Sequence, residues 1–413
     1  MRLGDIANPS ARPFGRPLDG VRILAAEQMQ ALPYATQLLA RLGAEVTKVE
    51  PVGGESGRNS MPAMLDPEGR KVGATFLRNN FNKRSISLNL KDPRATELLI
   101  QLAGKHDVFA ENNKAGAMDR LGLGYDILSA RWPELIYLSV SGFGNLGDSP
   151  YRSWPAYAMI PEAMSGLYEY TRIGDDPPRV GPAGALGDIG SALYGVIGIQ
   201  AALRHREATG LGQYIDIAML DAMIAMTDVV TNLWSLGRRP GDSPPVIMHG
   251  FRAADGWFVM QVARVHQFPR LAELIGHPEW LDDDRLSTPP GWVEHLETII
   301  RPAIEGWAAA YSKHEVCRIL GGAGIAAGPC NSAPEIINDP HVAIRNMLVE
   351  MPRTDDTPEP VLVPGNPVKM SNVAEGPETR VPWVGEHTDE VLAAELGLDE
   401  AELAALRSDG VIG

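Results

Sequence analysis

The stretch 21–50, VRILAAEQMQALPYATQLLARLGAEVTKVE, decides the fold. Val21 to Ala26 is a short apolar run that reads as a buried strand. Pro33 opens a helix over Tyr34 to Leu42 with apolar residues at helical spacing, and Gly43 ends it. Glu45 to Glu50 then alternates apolar and polar residues, the period of a strand. Working outward, Arg84 to Leu90 (RSISLNL) alternates again, and Asp92-Pro93 starts a helix to about Leu102. Asp107 to Ala110 and Leu135 to Val140 are further strands. Strands and helices in this order predict an α/β fold, a parallel sheet with helices on its faces. Such sheets bind ligands at the carboxyl ends of their strands.

Further along, Ile189 to about His205 is one apolar helix, Gln213 to Met219 a strand, and Leu220 to about Leu236 a long helix. Gly237 to Pro245 is rich in Pro and Gly and reads as a linker. FRAADGWFVMQV has two alternating runs about Asp255-Gly256, which predicts a hairpin. Residues 264–320 read as helical with Pro breaks, so this region is a smaller α+β domain. The expected organisation is an N-terminal arm (1–16), a large domain (17–226), a small domain with its two linkers (227–335), and a return to the large domain (336–413).

Lys plus Arg is 37 and Asp plus Glu is 52, giving a net charge of −15. That acidity argues against nucleic acid or an anionic membrane as partner. The two cysteines, Cys317 and Cys330, make no disulfide framework and suggest a reducing cytoplasm. The nine histidines are scattered without a metal-ligand spacing, so no metal is expected. The N-terminus lacks the pattern of a secretory signal, and no apolar run is expected to reach membrane-span length.

The turn after the first strand, Glu27 to Leu32, has no GxGxxG, which argues against a dinucleotide site. Gly53-Gly54-Glu55-Ser56-Gly57 has no following Lys and reads as a flexible loop. Asn80 to Arg84 sets two cations beside Asn donors, a combination that can hold a phosphate, although a solvated face explains it as well. Glu111-Asn112-Asn113 follows a strand directly, and Arg120 lies a few residues on. Asp188 stands in GPAGALGDIGSALYG, before an apolar helix. An N-cap explains it simply. The helix dipole would also keep its carboxylate ionised, as nucleophilic catalysis needs. Gly187 and Gly190 beside it are candidate oxyanion donors.

PLDGVRILAAE (17–27), PYATQLLARLGAEVTKVEP (33–51), FNKRSISLNLKDP (81–93), ENNKAGAMDRLGLGYD (111–126), SVSGFG (139–144), GDIGSALYGVIGIQAALRHREATGLGQYIDIAMLDAM (187–223) and GEHTDEVLAAELGL (385–398) together resemble the class III CoA-transferase family, also called CaiB/BaiF. That family includes carnitine and formyl-CoA transferases, and α-methylacyl-CoA racemases are close to it. The resemblance implies a Rossmann-like large domain built from both chain ends, a small domain between two linkers, and an interlocked homodimer. It puts the catalytic aspartate on Asp188. It puts coenzyme A contacts on Met29, Gln30, Ala31, Lys83, Arg84, Asn112, Asn113 and Arg120, with Lys83 and Arg120 at the nucleotide phosphates. Acyl-CoA and a free carboxylic acid would be the substrates, with no permanently bound cofactor and with an aspartyl-CoA intermediate. Two departures stand out. Pro51 and Val52 replace a cation that some members carry after the second strand, and the glycine-rich flap of formyl-CoA transferase is missing.

The related racemases carry a His-Asp pair where this sequence has Tyr157 and Ala158. Racemisation needs two bases, and tyrosine titrates near ~10. The alternatives are therefore a racemase or isomerase, argued against by Tyr157, a non-catalytic CoA-binding protein, and a thioesterase using the same Asp188. The Pro155-Ala156-Tyr157 segment is most similar to the carnitine branch, for which Tyr34, Trp154 and Tyr157 are candidate aromatic contacts to a quaternary ammonium. Glu162 borders the same region, either at the acyl group or exposed.

Overall fold

Ile23 and Ala25 bury against one side of the first strand, and Leu24 and Ala26 against the other. Two-sided burial is what a parallel strand between two helical layers requires. The computed structural model describes all residues except 173, 182, 183, 240, 241, 243 and 356. Its main sheet has six strands: β1 (Arg22–Ala26), β2 (Glu45–Glu50), β3 (Lys83–Ser87), β4 (Val108–Glu111), β5 (Ile136–Ser141) and β6 (Tyr214–Ala218). All neighbours are parallel, in the order β3-β2-β1-β4-β5-β6. This is the Rossmann order, and its direction reverses between β1 and β4.

The helices used below are α1 (Ala31–Arg41), α2 (Ala74–Asn79), α3 (Pro93–Ala103), α4 (Ala117–Arg120), α5 (Met159–Met164), α6 (Leu186–Thr209), α7 (Met219–Met226) and α8 (Thr388–Leu396). Leu32 and Leu39 of α1 and Ala192 and Ile199 of α6 cover one face of the sheet. Leu99 and Leu102 of α3 and Val391 and Leu392 of α8 cover the other. The C-terminal segment thus completes the same core as the N-terminal strands. The arm at the start of the chain lies along that segment, with Gly4 N–H donating to Glu378 O at 3.0 Å and Ala7 N–H to Glu375 O at 2.9 Å.

Three expectations change. β3 stops at Ser87 rather than Leu90: Leu88 N–H still donates to Glu50 O at 2.9 Å, but from there the chain pairs with the C-terminus, Asn89 N–H reaching Val411 O at 2.9 Å. The helix expected to run to Leu236 ends at Met226, and Thr227 is extended. The run Thr227-Asp228-Val229-Val230-Thr231-Asn232 is made of weak helix formers, and only a wide turn (Val229–Leu233) and a tight one (Trp234–Leu236) follow. By length and composition α6 could cross a membrane, although no such run was expected. It is instead packed on the sheet, where Gly195 approaches Leu138 so closely that an added Cβ would sit 3.3 Å from it.

The chain divides into two compact units, Met1–Pro240 with Ala343–Gly413, and Gly241–Val342. Of the expected linker, residues 240, 241 and 243 lie outside the described residues. In the second unit the hairpin forms about Asp255-Gly256, pairing Ile247–Ala253 with Gly256–Val262, and Ala326–Pro329 adds a third antiparallel strand. Trp280 and Trp292 stack on Phe268 in its core.

Candidate active site

The carboxyl ends of β1 and β4 meet at the point where the strand order reverses, and the two loops there are knitted together. Gln28 N–H donates to Asn112 Oδ1 and Asn112 Nδ2 returns a bond to Gln28 O, both at 2.9 Å. Asn113 Nδ2 donates to Ala26 O at 3.3 Å. Met29 holds a left-handed conformation (φ 60°), and its N–H donates to Glu55 Oε2 at 3.1 Å. Gln30 precedes α1 without a side-chain cap, so the first N–H groups of that helix, beginning at Ala31, have no partner within it. Such an N-terminus favours a phosphate or carboxylate. Five of the expected contact residues, Met29, Gln30, Ala31, Asn112 and Asn113, therefore come together at one crevice. Beneath them, burial pushes the Glu111 carboxyl up to about 7, while its oxygens accept from Ser139 Oγ and from Asn113 N–H.

Lys83 and Arg84 do not act as a pair. Successive strand residues point to opposite faces, so Lys83 faces α1 and Arg84 faces α8. The Lys83 ammonium is fully enclosed and donates to Glu27 Oε1 (2.7 Å), Pro33 O (2.9 Å) and Asn80 Oδ1 (3.0 Å). An ammonium has three protons, and all three are taken. Burial pushes its pKa down to about 8, against the pull of Glu27. Lys48 lies in the same cluster, 3.6 Å from both Glu27 and Glu55. Lys83 thus fixes the root of the β1 turn and has no donor left for a phosphate. Arg84 bonds Thr47 Oγ1 at 3.1 Å and Glu395 Oε1 at 3.4 Å on the far side of the sheet. Glu55, set in what reads as a flexible loop, is buried and is part of this foundation.

Asp188 lies at the same edge of the sheet by topology. The C-terminus of α6 leads into the amino end of β6, so its N-terminus lies toward the carboxyl ends of the strands. Asp188 is not the N-cap. That position is Ala185, which makes no side-chain cap. The capping is done from outside by Glu162 on α5, whose Oε1 accepts from Gly187 N–H at 3.0 Å while its Oε2 accepts from Tyr168 Oη. Glu162 is 4% exposed, so it is neither a surface residue nor free for an acyl group. Asp188 itself is half-buried and has no hydrogen bond or ion pair among the described residues. Burial and the nearby Glu162 carboxylate push the Asp188 carboxyl up to about 6, and the Arg78 guanidinium pulls it back. At neutral pH about nine in ten such groups are ionised.

The flanking glycines have a packing role. A Cβ on Gly187 would lie 2.8 Å from Ala158 O, and one on Gly190 would lie 2.2 Å from Met226 Sδ. Gly187 N–H is taken by Glu162, and Gly190 N–H lies beyond the first turn, where the helix uses its own amides. Neither is an oxyanion donor in this arrangement. Among the described residues, the N–H groups of Leu186 and Asp188 are the unpaired donors of the first turn.

Two cations remain. Arg120 is exposed at the end of α4, following β4, with no ion pair among the described residues. Arg78, at the end of α2, was not singled out from the sequence. Its guanidinium carbon lies 5.5 Å from the centre of the Tyr34 ring. Tyr34 is therefore partly covered by a cation of the chain itself. Trp154 is half exposed against Tyr151 and Phe143, and Tyr157 is 70% exposed. Among the described residues no three His, Cys, Asp or Glu side chains are grouped to hold a metal ion.

Two outcomes check this geometry. Lys83→Met should lower stability by about 3–5 kcal/mol in urea unfolding, because it leaves Glu27 buried with a weaker partner; an unchanged midpoint would mean that Lys83 faces solvent or ligand. Glu162→Gln keeps an acceptor for Gly187 N–H but removes a like charge, so the Asp188 pKa, followed by carboxyl NMR, should fall below about 6. A rise would contradict the placement of Glu162.

Comparison with known proteins identifies the family. The model of CoA-transferase family III matches residues 18–388. The chain is 34% identical over 393 residues to a succinyl-CoA:mesaconate CoA-transferase of Haloarcula marismortui, covering 92% of this chain and 97% of that protein. It is 35% identical over 417 residues to a formyl-CoA:oxalate CoA-transferase of Streptomyces avermitilis, covering 96% and 99%. The crystal structure of a CaiB/BaiF family protein from Brucella suis superposes with a TM-score of 0.81 at 31% identity, covering 92% of this chain and all of that one. The chain belongs to CoA-transferase family III.

Proposed function

We propose that this chain moves coenzyme A from an acyl-CoA thioester to a free carboxylic acid, with Asp188 as the covalent carrier. The observation that carries the reading is the Asp188 carboxylate, half-buried and without a hydrogen bond or ion pair among the described residues, at the carboxyl edge of the sheet. The Asp188 oxygen attacks the thioester carbonyl of the donor, and coenzyme A leaves as its thiolate, whose Cys-like pKa of about 8.5 makes it a good leaving group. A mixed anhydride remains on Asp188. The thiolate then attacks the aspartyl carbonyl, the donor acid departs, and an aspartyl-CoA thioester forms. The acceptor carboxylate attacks that thioester, giving a second anhydride and free thiolate. Attack of the thiolate on the acceptor's carbonyl yields the new acyl-CoA and restores Asp188. One thioester is exchanged for another, so the bookkeeping of bonds closes without ATP.

The crevice formed by Met29, Gln30, Ala31, Asn112 and Asn113 is suited to the coenzyme, and exposed Arg120 to its phosphates. The N–H groups of Leu186 and Asp188 are the available donors for the oxyanions. The two relatives named above act on mesaconate and oxalate, which supports a short dicarboxylic acid as one partner here. An interlocked homodimer is the assembly we infer. Leu193 and Ile197 of α6, with Val230, Trp234 and Leu236 beyond α7, leave apolar side chains exposed that a second copy would cover. Both cysteines are free thiols, in keeping with a cytoplasmic enzyme.

Intact-protein mass spectrometry after incubation with succinyl-, acetyl- or butyrobetainyl-CoA, with hydroxylamine trapping, tests the reading. A coenzyme A or hydroxamate adduct should map to Asp188, increase with pH through about 6, and vanish in Asp188→Ala. No adduct with any donor, together with exchange of the α-proton in heavy water, would favour a racemase instead.

A further inference from the structure

Arg78 is the one cation whose charge acts on Asp188 among the described residues. It sits in the last turn of α2, and its backbone is fixed from α1, where Gln37 Nε2 donates to Arg78 O at 3.0 Å and Gln37 Oε1 accepts from Phe81 N–H at 2.8 Å. Tyr34, one turn earlier on α1, lies under the guanidinium at 5.5 Å. Because α1 begins at the turn carrying Met29 and Gln30, these contacts bring Arg78 toward the crevice already described. The guanidinium is half-buried, yet it has no hydrogen bond and no ion pair among the described residues. It also lines a cavity of about 290 Å³ with Met64, Leu77 and Val363. The other arginine of that cavity, Arg353, is neutralised by a two-pronged pair with Asp355 at 2.8 and 2.5 Å. A partly desolvated cation with five unused donors is a site for an anion. Its planar fork fits a carboxylate.

The electrostatics of the reaction narrow the choice of anion. The acceptor acid brings its negative charge to Asp188 when that residue is an uncharged thioester, but the Glu162 carboxylate is still close by and repels it. If Arg78 gripped the reacting carboxylate, it would withdraw the charge needed for attack. If it grips a second carboxylate, it offsets the repulsion and orients the acid while leaving the reacting oxygen free. We infer that Arg78 binds the non-reacting carboxylate of the acid and so selects dicarboxylic over monocarboxylic acids. This rests on the transferase reading above and deepens it.

The test separates the two readings. Equilibrium binding of succinate and of butyrate is measured by calorimetry on the wild type, R78Q and R78K, and formation of the Asp188 adduct from acetyl-CoA is measured on the same proteins. Succinate affinity should fall about 10- to 100-fold in R78Q, as expected for loss of a charged hydrogen bond, and less in R78K. Butyrate binding should change by less than about 3-fold, and so should adduct formation from acetyl-CoA when it is measured well above the pKa of Asp188, where that carboxylate stays ionised without the pull of Arg78. Equal losses for both acids, no loss for either, or no succinate binding by the wild type would overturn the role given to Arg78. So would a loss of acetyl-CoA loading with succinate binding intact, which would assign Arg78 to the phosphates of the coenzyme. Loss of succinate binding in R78Q, in a wild type that forms no adduct with any donor, would uphold Arg78 and overturn the transferase reading. Should R78Q fail to fold, the ratio of succinate to butyrate affinity in R78K decides: it falls if the fork matters and is unchanged if it does not.

Discussion

The Lys83 ammonium, enclosed between Glu27, Pro33 and Asn80, ties the edge strand of the sheet to the turn between β1 and α1. A buried ion pair is costly to desolvate and stabilises only when every donor is matched, as here. Its effect is on geometry. Glu27 follows β1 directly, Pro33 lies in the first turn of α1, and Asn80 follows α2. One side chain thus joins three elements that surround the point where the strand order reverses. Lys48 and Glu55 extend the cluster, and Glu55 fixes the left-handed Met29 backbone. With that turn rigid, the free N–H groups of α1 and the Asn112 and Asn113 side chains are presented in a constant arrangement.

The residue proposed as carrier depends on a similar division of labour. A carboxylate at the start of a helix would ordinarily be consumed by capping its own N–H groups. Here Glu162 caps Gly187 from a separate helix, and Asp188 is left without a partner among the described residues. The cost is a like charge nearby, which together with burial raises the Asp188 carboxyl to about 6. That value still leaves it mostly ionised at neutral pH, and an oxygen that is less strongly solvated is a better nucleophile. Gly187 and Gly190 allow α6 to lie against Ala158 and Met226 closely enough for this to happen.

Much of this was legible in the sequence because it is periodic. The buried run at Val21–Ala26, the alternation at Glu45–Glu50 and the hairpin at Asp255-Gly256 each carry a local signal, and each forms. Asp188 drew attention through its glycine-rich motif, and its place at the start of α6 follows from the sequence. What escaped the sequence depends on depth and on contacts far along the chain. Lys83 looks like a surface cation until its strand is seen to bury it. Its neighbour Arg84 is separated from it by the pleat, a consequence that the period of two already contained. Glu162 and Asp188 are 26 residues apart, and nothing local announces that one caps the helix of the other. Arg78 has no motif, and its interest lies in a guanidinium that has no hydrogen bond or ion pair among the described residues. The break at Thr227 was readable from its β-branched neighbours, but the apolar residues beyond it kept the helical pattern alive.

The central claim is that Asp188 exchanges an oxygen with the acid at each turnover. Turnover with an acid carrying heavy oxygen in its carboxylate, followed by mass spectrometry of the peptide containing Asp188, tests it most directly. Passage through an aspartyl anhydride predicts heavy oxygen in the Asp188 carboxylate of the free enzyme, dependent on the presence of both substrates. New acyl-CoA formed with no label on Asp188 would mean that the acid attacks the donor directly, and would contradict the account.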